Sequence, residues 1–153
     1  MKSKKTFILI LLLIVLVGCN NQNNTLEDKD NSNVDMTKIN HPTSINQDQS
    51  NRAKDSLSKD NNITNIHAVN TEKQLVIAID ISHMKRFRLK KIEEDLKKKM
   101  KKQFPRMDVY FSTDKKIILE LEKLEQDINS KSLAKKDISK KVKKIIELMS
   151  EKT

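Results

Sequence analysis

The sequence predicts an α+β domain: a small three-stranded sheet, packed by helices in the order β-β-α-β-α-α and preceded by a signal peptide and a disordered polar tether. Ile63–Val69 and Gln74–Ile81 are two short runs rich in β-branched residues, and the second alternates with period two, as does Met107–Ser112. Three longer stretches place apolar residues three and four apart, the spacing of one buried helix face. The composition also breaks at about residue 62, from Asn, Asp, Ser and Gln to a lysine-rich pattern with apolar periodicity.

The N-terminus reads as an address. Met1-Lys2-Ser3-Lys4-Lys5 is a basic head, and Phe7 to Val17 is an unbroken run of eleven apolar residues. As a helix this run spans roughly 17 Å, well short of a ~30 Å hydrocarbon core, which predicts a secretion signal over 1–18. It ends in Leu16-Val17-Gly18-Cys19, which resembles the bacterial lipobox recognised by lipoprotein signal peptidase. Gly18 supplies the tiny residue before the cut, and the Cys19 thiol accepts a diacylglyceryl group as a thioether. Two or three acyl chains at about 0.8 kcal/mol per buried CH₂ make a durable anchor. The expected address is therefore the extracytoplasmic face of the cell membrane, lipid-anchored.

Residues 19–62 are expected to form a disordered tether, because Leu26, Val34, Met36, Ile39, Ile45 and Leu57 are isolated and without period. Arg52–Lys59 has the makings of a short, weak helix, since Ala53 and Leu57 lie four apart. The domain then occupies 63–153. Its first two strands form an antiparallel hairpin across Asn70-Thr71-Glu72-Lys73. In the second strand Leu75, Ile77, Ile79 and Ile81 make a strongly apolar face, which predicts a sheet covered by helices on one face. A helix follows over Met84–Gln103, with Leu89, Ile92, Leu96 and Met100 as its stripe and Pro105 as its stop. Glu93–Lys97 and Glu94–Lys98 stand at the spacing of helix ion pairs.

After the third strand, Thr113-Asp114 predicts the cap of a second helix, whose inner face is Ile117, Ile118, Leu121, Leu124 and Ile128. The competing reading makes Ile117, Leu119 and Leu121 a fourth strand; it leaves Leu124 and Ile128 unexplained. The last helix runs from about Ser132 to Glu151 on Ile138, Val142, Ile145 and Met149.

Composition argues against enzymatic chemistry. Gly18 is the sole glycine, so phosphate-cradling loops, dinucleotide folds and nucleophile elbows have nothing to be built from. One cysteine excludes an intrachain disulfide and a cysteine-rich zinc site. No metal and no cofactor are expected. His67 and His83 would need partners such as Asp80 or Asp108, and no ligand spacing supports them. Asp108 and Asp114 read as an outward strand residue and a helix cap, and Met84, Met100, Met107 and Met149 as core filler.

Charge is the strongest remaining signal. The chain carries a net +10, and ten bases face three acids within Arg86–Arg106. One reading is a lysine-rich solvated helix face. The other is attraction to a polyanion, an anionic lipid or teichoic acid, through Lys90, Lys97, Lys98, Lys101 and Lys102. Nucleic acid is disfavoured because the few aromatic residues supply no stacking platform.

A lipobox, a polar stalk and a small αβ domain come together with the block Asp108-Val109-Tyr110-Phe111-Ser112-Thr113-Asp114-Lys115-Lys116-Ile117 and Leu119-Glu120-Leu121-Glu122-Lys123-Leu124. This combination resembles the YhcN/YlaJ-type sporulation lipoproteins of endospore-forming Bacilli over roughly 63–150. The resemblance implies a forespore or spore inner membrane, a role in germination or outgrowth without catalytic residues, and other spore-envelope proteins as partners. It carries Cys19 over as the lipid attachment site. The family's helix before the first strand is here reduced to Arg52–Lys59.

Overall fold

The computed structural model describes residues 34–40, 45–131 and 133–151. The signal peptide expected at 1–18, the motif Leu16, Val17, Gly18 and Cys19, and the first part of the expected tether lie outside the described residues. The elements are α1 (Asp48–Leu57), β1 (Ile63–Asn70), β2 (Gln74–Ile81), a 3-10 turn (His83–Arg88), α2 (Leu89–Gln103), β3 (Asp108–Ser112), α3 (Lys115–Ser130) and α4 (Lys135–Ser150). The order from β1 onward is the β-β-α-β-α-α of the sequence reading, and the class is α+β.

The sheet runs β1-β2-β3. β1 and β2 are antiparallel, while β2 and β3 are parallel, with Leu75 opposite Val109 and Ile77 opposite Phe111. Parallel neighbours cannot be joined by a tight turn, so α2 serves as the crossover between them. The β1–β2 connection is tight, closed by Thr71 N–H donating to the Gln74 carbonyl at 2.8 Å. Thr71 Oγ1 accepts from Gln74 N–H at 3.0 Å. Among the described residues no backbone φ is positive, so a domain without glycine meets no conformation that needs one.

Helices cover both faces of this sheet, where the sequence predicted one. Ile66, Ala68, Leu75, Ile77, Ile79, Val109 and Phe111 join Ala53 and Leu57 of α1 and Leu96, Met100 and Phe104 of α2 in one cluster. Val69, Val76 and Ala78 join Ile117, Leu121, Leu124 and Ile128 of α3 and Ile138, Val142 and Ile145 of α4 in another. The period-two reading weighted the four large residues of β2 and discounted Val76 and Ala78. These are also apolar, and the polar residues Gln74 and Asp80 sit only near the strand ends.

The tether reading fails from Val34 onward. The chain at Asp35 bridges the outer edge of β1: Asp35 N–H donates to the Thr64 carbonyl at 2.9 Å, and Ile66 N–H donates to the Asp35 carbonyl at 3.0 Å. Ile39, Ile45, Ala53 and Leu57 are buried, and α1 begins four residues before the stretch foreseen as a weak helix. These apolar residues form no core of their own, which is why no period shows. Each fills a separate site on a sheet and helices made elsewhere.

The amide-rich composition is also structural. Gln47 Nε2 donates to the Asn70 carbonyl at 2.9 Å and Gln47 Oε1 accepts from Asn70 N–H at 3.0 Å. Asn51 does the same to Ile39, at 2.9 and 3.0 Å. Two side-chain amides thus replace a strand partner for backbone groups that burial would otherwise strand.

Smaller differences follow the electrostatics of helix ends. The stretch before Leu89 is 3-10 rather than α, with no side-chain cap, and it contains Lys85, Arg86 and Arg88. Cations at a helix N-terminus oppose its dipole. At the next helix the expected cap is present: Asp114 Oδ1 accepts from Lys116 N–H at 2.7 Å, and the fourth-strand alternative is excluded. The final helix starts at Lys135.

Candidate functional site

Two polar arrangements stand out, one inside the domain and one on its surface. The inner one is formed by Lys54, His67 and Glu125, which are 0%, 7% and 2% exposed. Lys54 comes from α1, one residue after the Ala53 that packs in the first cluster. Glu125 lies on α3, inside the apolar stripe, four residues after Leu121 and three before Ile128. His67 stands on β1 between Ile66 and Ala68. Folding brings these three distant positions onto one carboxylate.

Glu125 Oε1 accepts from the Lys54 ammonium and from Ala68 N–H, the latter at 2.9 Å. Its Oε2 lies 2.6 Å from His67 Nδ1. A carboxylate only accepts, so His67 Nδ1 is the donor of this bond. No hydrogen-bond partner meets this Nε2 among the described residues. Lys54 also donates to the Thr37 carbonyl at 2.5 Å. Burial lowers the Lys54 pKa from its usual 10.5, against the opposing pull of Glu125. Lys54 and His67 thus converge on the two oxygens of one buried carboxylate. The cluster joins α1 to α3 and thereby ties together the helices of the two layers.

Chemically this is an ion pair with a hydrogen-bonded histidine. Among the described residues no group of three His, Cys, Asp or Glu side chains gathers as a metal site would require. His83 is exposed in the 3-10 turn, Asp108 is exposed at the head of β3, and Asp114 is spent on its cap. Met100 is buried and Met107 and Met149 are partly buried against the clusters. Met84 is 82% exposed, which corrects its reading as core filler. It lies in the short 3-10 turn, ahead of the helix whose stripe packs inward.

The surface arrangement is α2. Its apolar residues face the sheet, and Lys90, Lys97, Lys98, Lys101 and Lys102 are all exposed. They do not form one tight cluster. Lys97 and Lys101 line a groove beside β3 with Glu93, Tyr110 and Met149. Lys90 and Lys98 border a depression next to Phe87.

The expected Glu93–Lys97 and Glu94–Lys98 pairs are absent among the described residues. Glu93 instead accepts from Thr113 Oγ1 at 2.9 Å. Lysines elsewhere do pair: Lys115 with Asp80, Lys131 and Lys141 with Asp127, Lys135 with Glu72. The α2 lysines meet no carboxylate among the described residues; Lys99 donates to the Ser56 carbonyl at 3.2 Å, and Lys90, Lys97, Lys98, Lys101 and Lys102 face solvent.

Comparison with protein-family models, with curated proteins and with solved structures gives no match. No helix among the described residues is long and apolar enough to cross a membrane.

Sequence reasoning found the lysines and missed the buried cluster. A signal for it existed: Glu125 occupies a position where the spacing of Ile118, Leu121, Leu124 and Ile128 calls for an apolar side chain. The identity of its partners had no sequence signal, since Lys54 and His67 lie 71 and 58 positions away.

Proposed function

We propose that this chain is a lipid-anchored, non-enzymatic binding module of an extracytoplasmic membrane face, one of the YhcN/YlaJ-type sporulation lipoproteins, and that it binds a polyanion of the cell or spore envelope. The observation that carries the binding reading is the unpaired lysine face of α2. Exposed cations with no internal carboxylate partner among the described residues attract polyanions with the salt sensitivity of a solvated surface, for which the Debye length is about 10 Å at 0.1 M. Support for the anchor comes from the lipobox-like Leu16-Val17-Gly18-Cys19, and support for the spore envelope comes from the family resemblance.

Full-length protein should bind teichoic acid or anionic vesicles at low salt and release them as salt rises. Changing Lys90, Lys97, Lys98, Lys101 and Lys102 together to Gln should abolish that dependence; affinity unchanged by salt or by the variant overturns the reading. Cys19→Ala, or a block of lipoprotein signal peptidase, should leave the precursor uncut. A reporter equally active in growing and sporulating cells argues against the spore assignment.

A second reading rests on β3, whose outer edge has no partner strand among the described residues. Such an edge accepts an added strand, which makes the domain a subunit of a larger envelope assembly. A strictly monomeric sedimentation profile at high concentration is the result against it.

A further inference from the structure

Met84 and Phe87 are 82% and 83% exposed, more than Leu119, the third exposed large apolar side chain among the described residues, at 63%. Both lie in the 3-10 turn His83–Arg88, none of whose residues is buried. In a helix of three residues per turn, positions three apart eclipse one another, so Met84 and Phe87 project from the same side. Lys85, Arg86, Arg88, Lys90 and Lys91 flank them in the sequence, and the segment 83–91 contains no acid. Arg86 lies close enough to Asp80 to lower its pKa. The other four cations pair with no carboxylate among the described residues.

Beside Phe87, Arg88, Lys90, Lys91 and Lys98 outnumber the acids Glu94 and Asp95, so two large apolar side chains among a majority of cations fit a surface that is anionic outside and apolar beneath. That combination is a lipid bilayer with acidic headgroups. A wall polymer matches the cations but offers Met84 and Phe87 nothing to enter. We propose that the segment His83–Lys91 is a membrane wedge, in which Met84 and Phe87 enter the headgroup–acyl boundary of an anionic leaflet while Lys85, Arg88, Lys90 and Lys91 hold its headgroups. This rests on the polyanion reading above and names that polyanion as bilayer lipid.

Chain length agrees with a domain kept at the leaflet. Between Cys19, the expected lipid site, and Val34, the first described residue, the chain advances 15 residues. Whatever their conformation, they reach at most about 55 Å. The domain is thus confined near the bilayer, where weak, reversible insertion suffices.

The chain contains no tryptophan, so Phe87→Trp installs a single reporter at an exposed position that the core does not use. Full-length protein carrying it is reconstituted into vesicles of phosphatidylglycerol with phosphatidylcholine, or of phosphatidylcholine alone, each with brominated acyl chains. On the anionic vesicles at low salt the emission should shift blue and be quenched. On phosphatidylcholine it should stay that of an exposed indole. Leu119→Trp should remain unquenched on both.

Adding Met84→Ser to Phe87→Trp should lower the docked-to-undocked ratio about tenfold, as expected for losing partial burial of one apolar side chain. Changing Lys85, Arg88, Lys90 and Lys91 to Gln should remove the preference for anionic lipid. Unquenched Phe87→Trp emission on anionic vesicles overturns the wedge, as does equal quenching on both vesicle types or at Leu119→Trp. If such protein still binds soluble teichoic acid in a salt-sensitive way, the wedge alone is lost. If it binds neither, the polyanion reading falls with it.

Discussion

Replacing Glu125 with Gln keeps the side chain's shape and removes its charge, and the structure sets the consequence. The Glu125 carboxylate holds three donors: the Lys54 ammonium, Ala68 N–H and His67 Nδ1. A glutamine can place its carbonyl at the Oε1 position and still meet Lys54 and Ala68. Its NH₂ then faces His67 Nδ1, a donor set against a donor, and His67 Nε2 has no partner among the described residues to compensate. Lys54, fully buried, is left without a counter-ion.

Breaking one side of a buried ion pair costs about 3–5 kcal/mol. For a domain of this size that lowers Tm by about 12–20 °C. Urea denaturation followed by circular dichroism measures the loss. The matched control is Lys54→Met with Glu125→Gln, which removes both charges while keeping an acceptor for Ala68 N–H, and it should recover about 1–3 kcal/mol of the loss. The sign of the pH dependence adds a check. Burial already depresses the Lys54 pKa in the folded protein, so between that lowered value and 10.5 the unfolded chain binds more protons, and stability rises with pH. Losing Glu125 removes an interaction that raises this pKa, so the window widens downward and the variant should regain stability steadily on the alkaline side. A Glu125→Gln loss below about 1 kcal/mol, or a double variant as unstable as the single one, would refute this account of the cluster.

Three further outcomes are expected. Asn70→Ala removes a buried amide whose Oδ1 accepts from Ser50 N–H at 3.0 Å in the first turn of α1 and whose Nδ2 donates to the Asn46 carbonyl at 2.9 Å; it should cost about 2–3 kcal/mol in urea denaturation. A fragment limited to 63–153 should lose cooperative unfolding and bind hydrophobic dyes, because it gives up Ile39, Ile45, Ala53 and Leu57 and strands Glu125; a sharp native-like transition would contradict this. On the acid side, Asp80 carries a lowered pKa: burial raises it, but the Lys115 and Ile81 hydrogen bonds and nearby cations outweigh that. Asp127 is lowered by Lys141 and Lys131. Each contributes stability that is present above about pH 3.8 and lost as pH falls through the folded value. Replacing both with Asn should therefore flatten the acid transition without changing the alkaline one.

Local periodicity carried most of the core. The stripe Ile117–Ile128, the alternation in Gln74–Ile81 and the cap at Asp114 are properties of neighbouring residues, and neighbours are what a sequence displays. The stretch from Val34 to Asn62 shows where that stops. Its apolar residues bury themselves on surfaces made by residues far along the chain, and its Asn and Gln side chains act as backbone partners. Composition therefore gives the same reading for this stretch as for an unstructured tether. The lysines of α2 were visible as charge, but which of them find carboxylates depends on side chains brought near by folding. Thr113 taking Glu93 away from Lys97 is one such event. Met84 and Phe87 fit the start of an apolar stripe on paper, yet the 3-10 turn gives them a different angular spacing from α2 and leaves them in solvent.

By itself, then, the sequence determined the class, the strand and helix order from Ile63 onward, the basic face and the glycine-free turns, because each depends on contacts within a few residues. Only the tertiary structure decided that the domain begins by Val34, that both faces of the sheet are covered, and that Lys54 and His67 converge on Glu125. Those outcomes depend on loop closures across tens of residues, where burial and hydrogen-bond satisfaction in three dimensions override the local pattern.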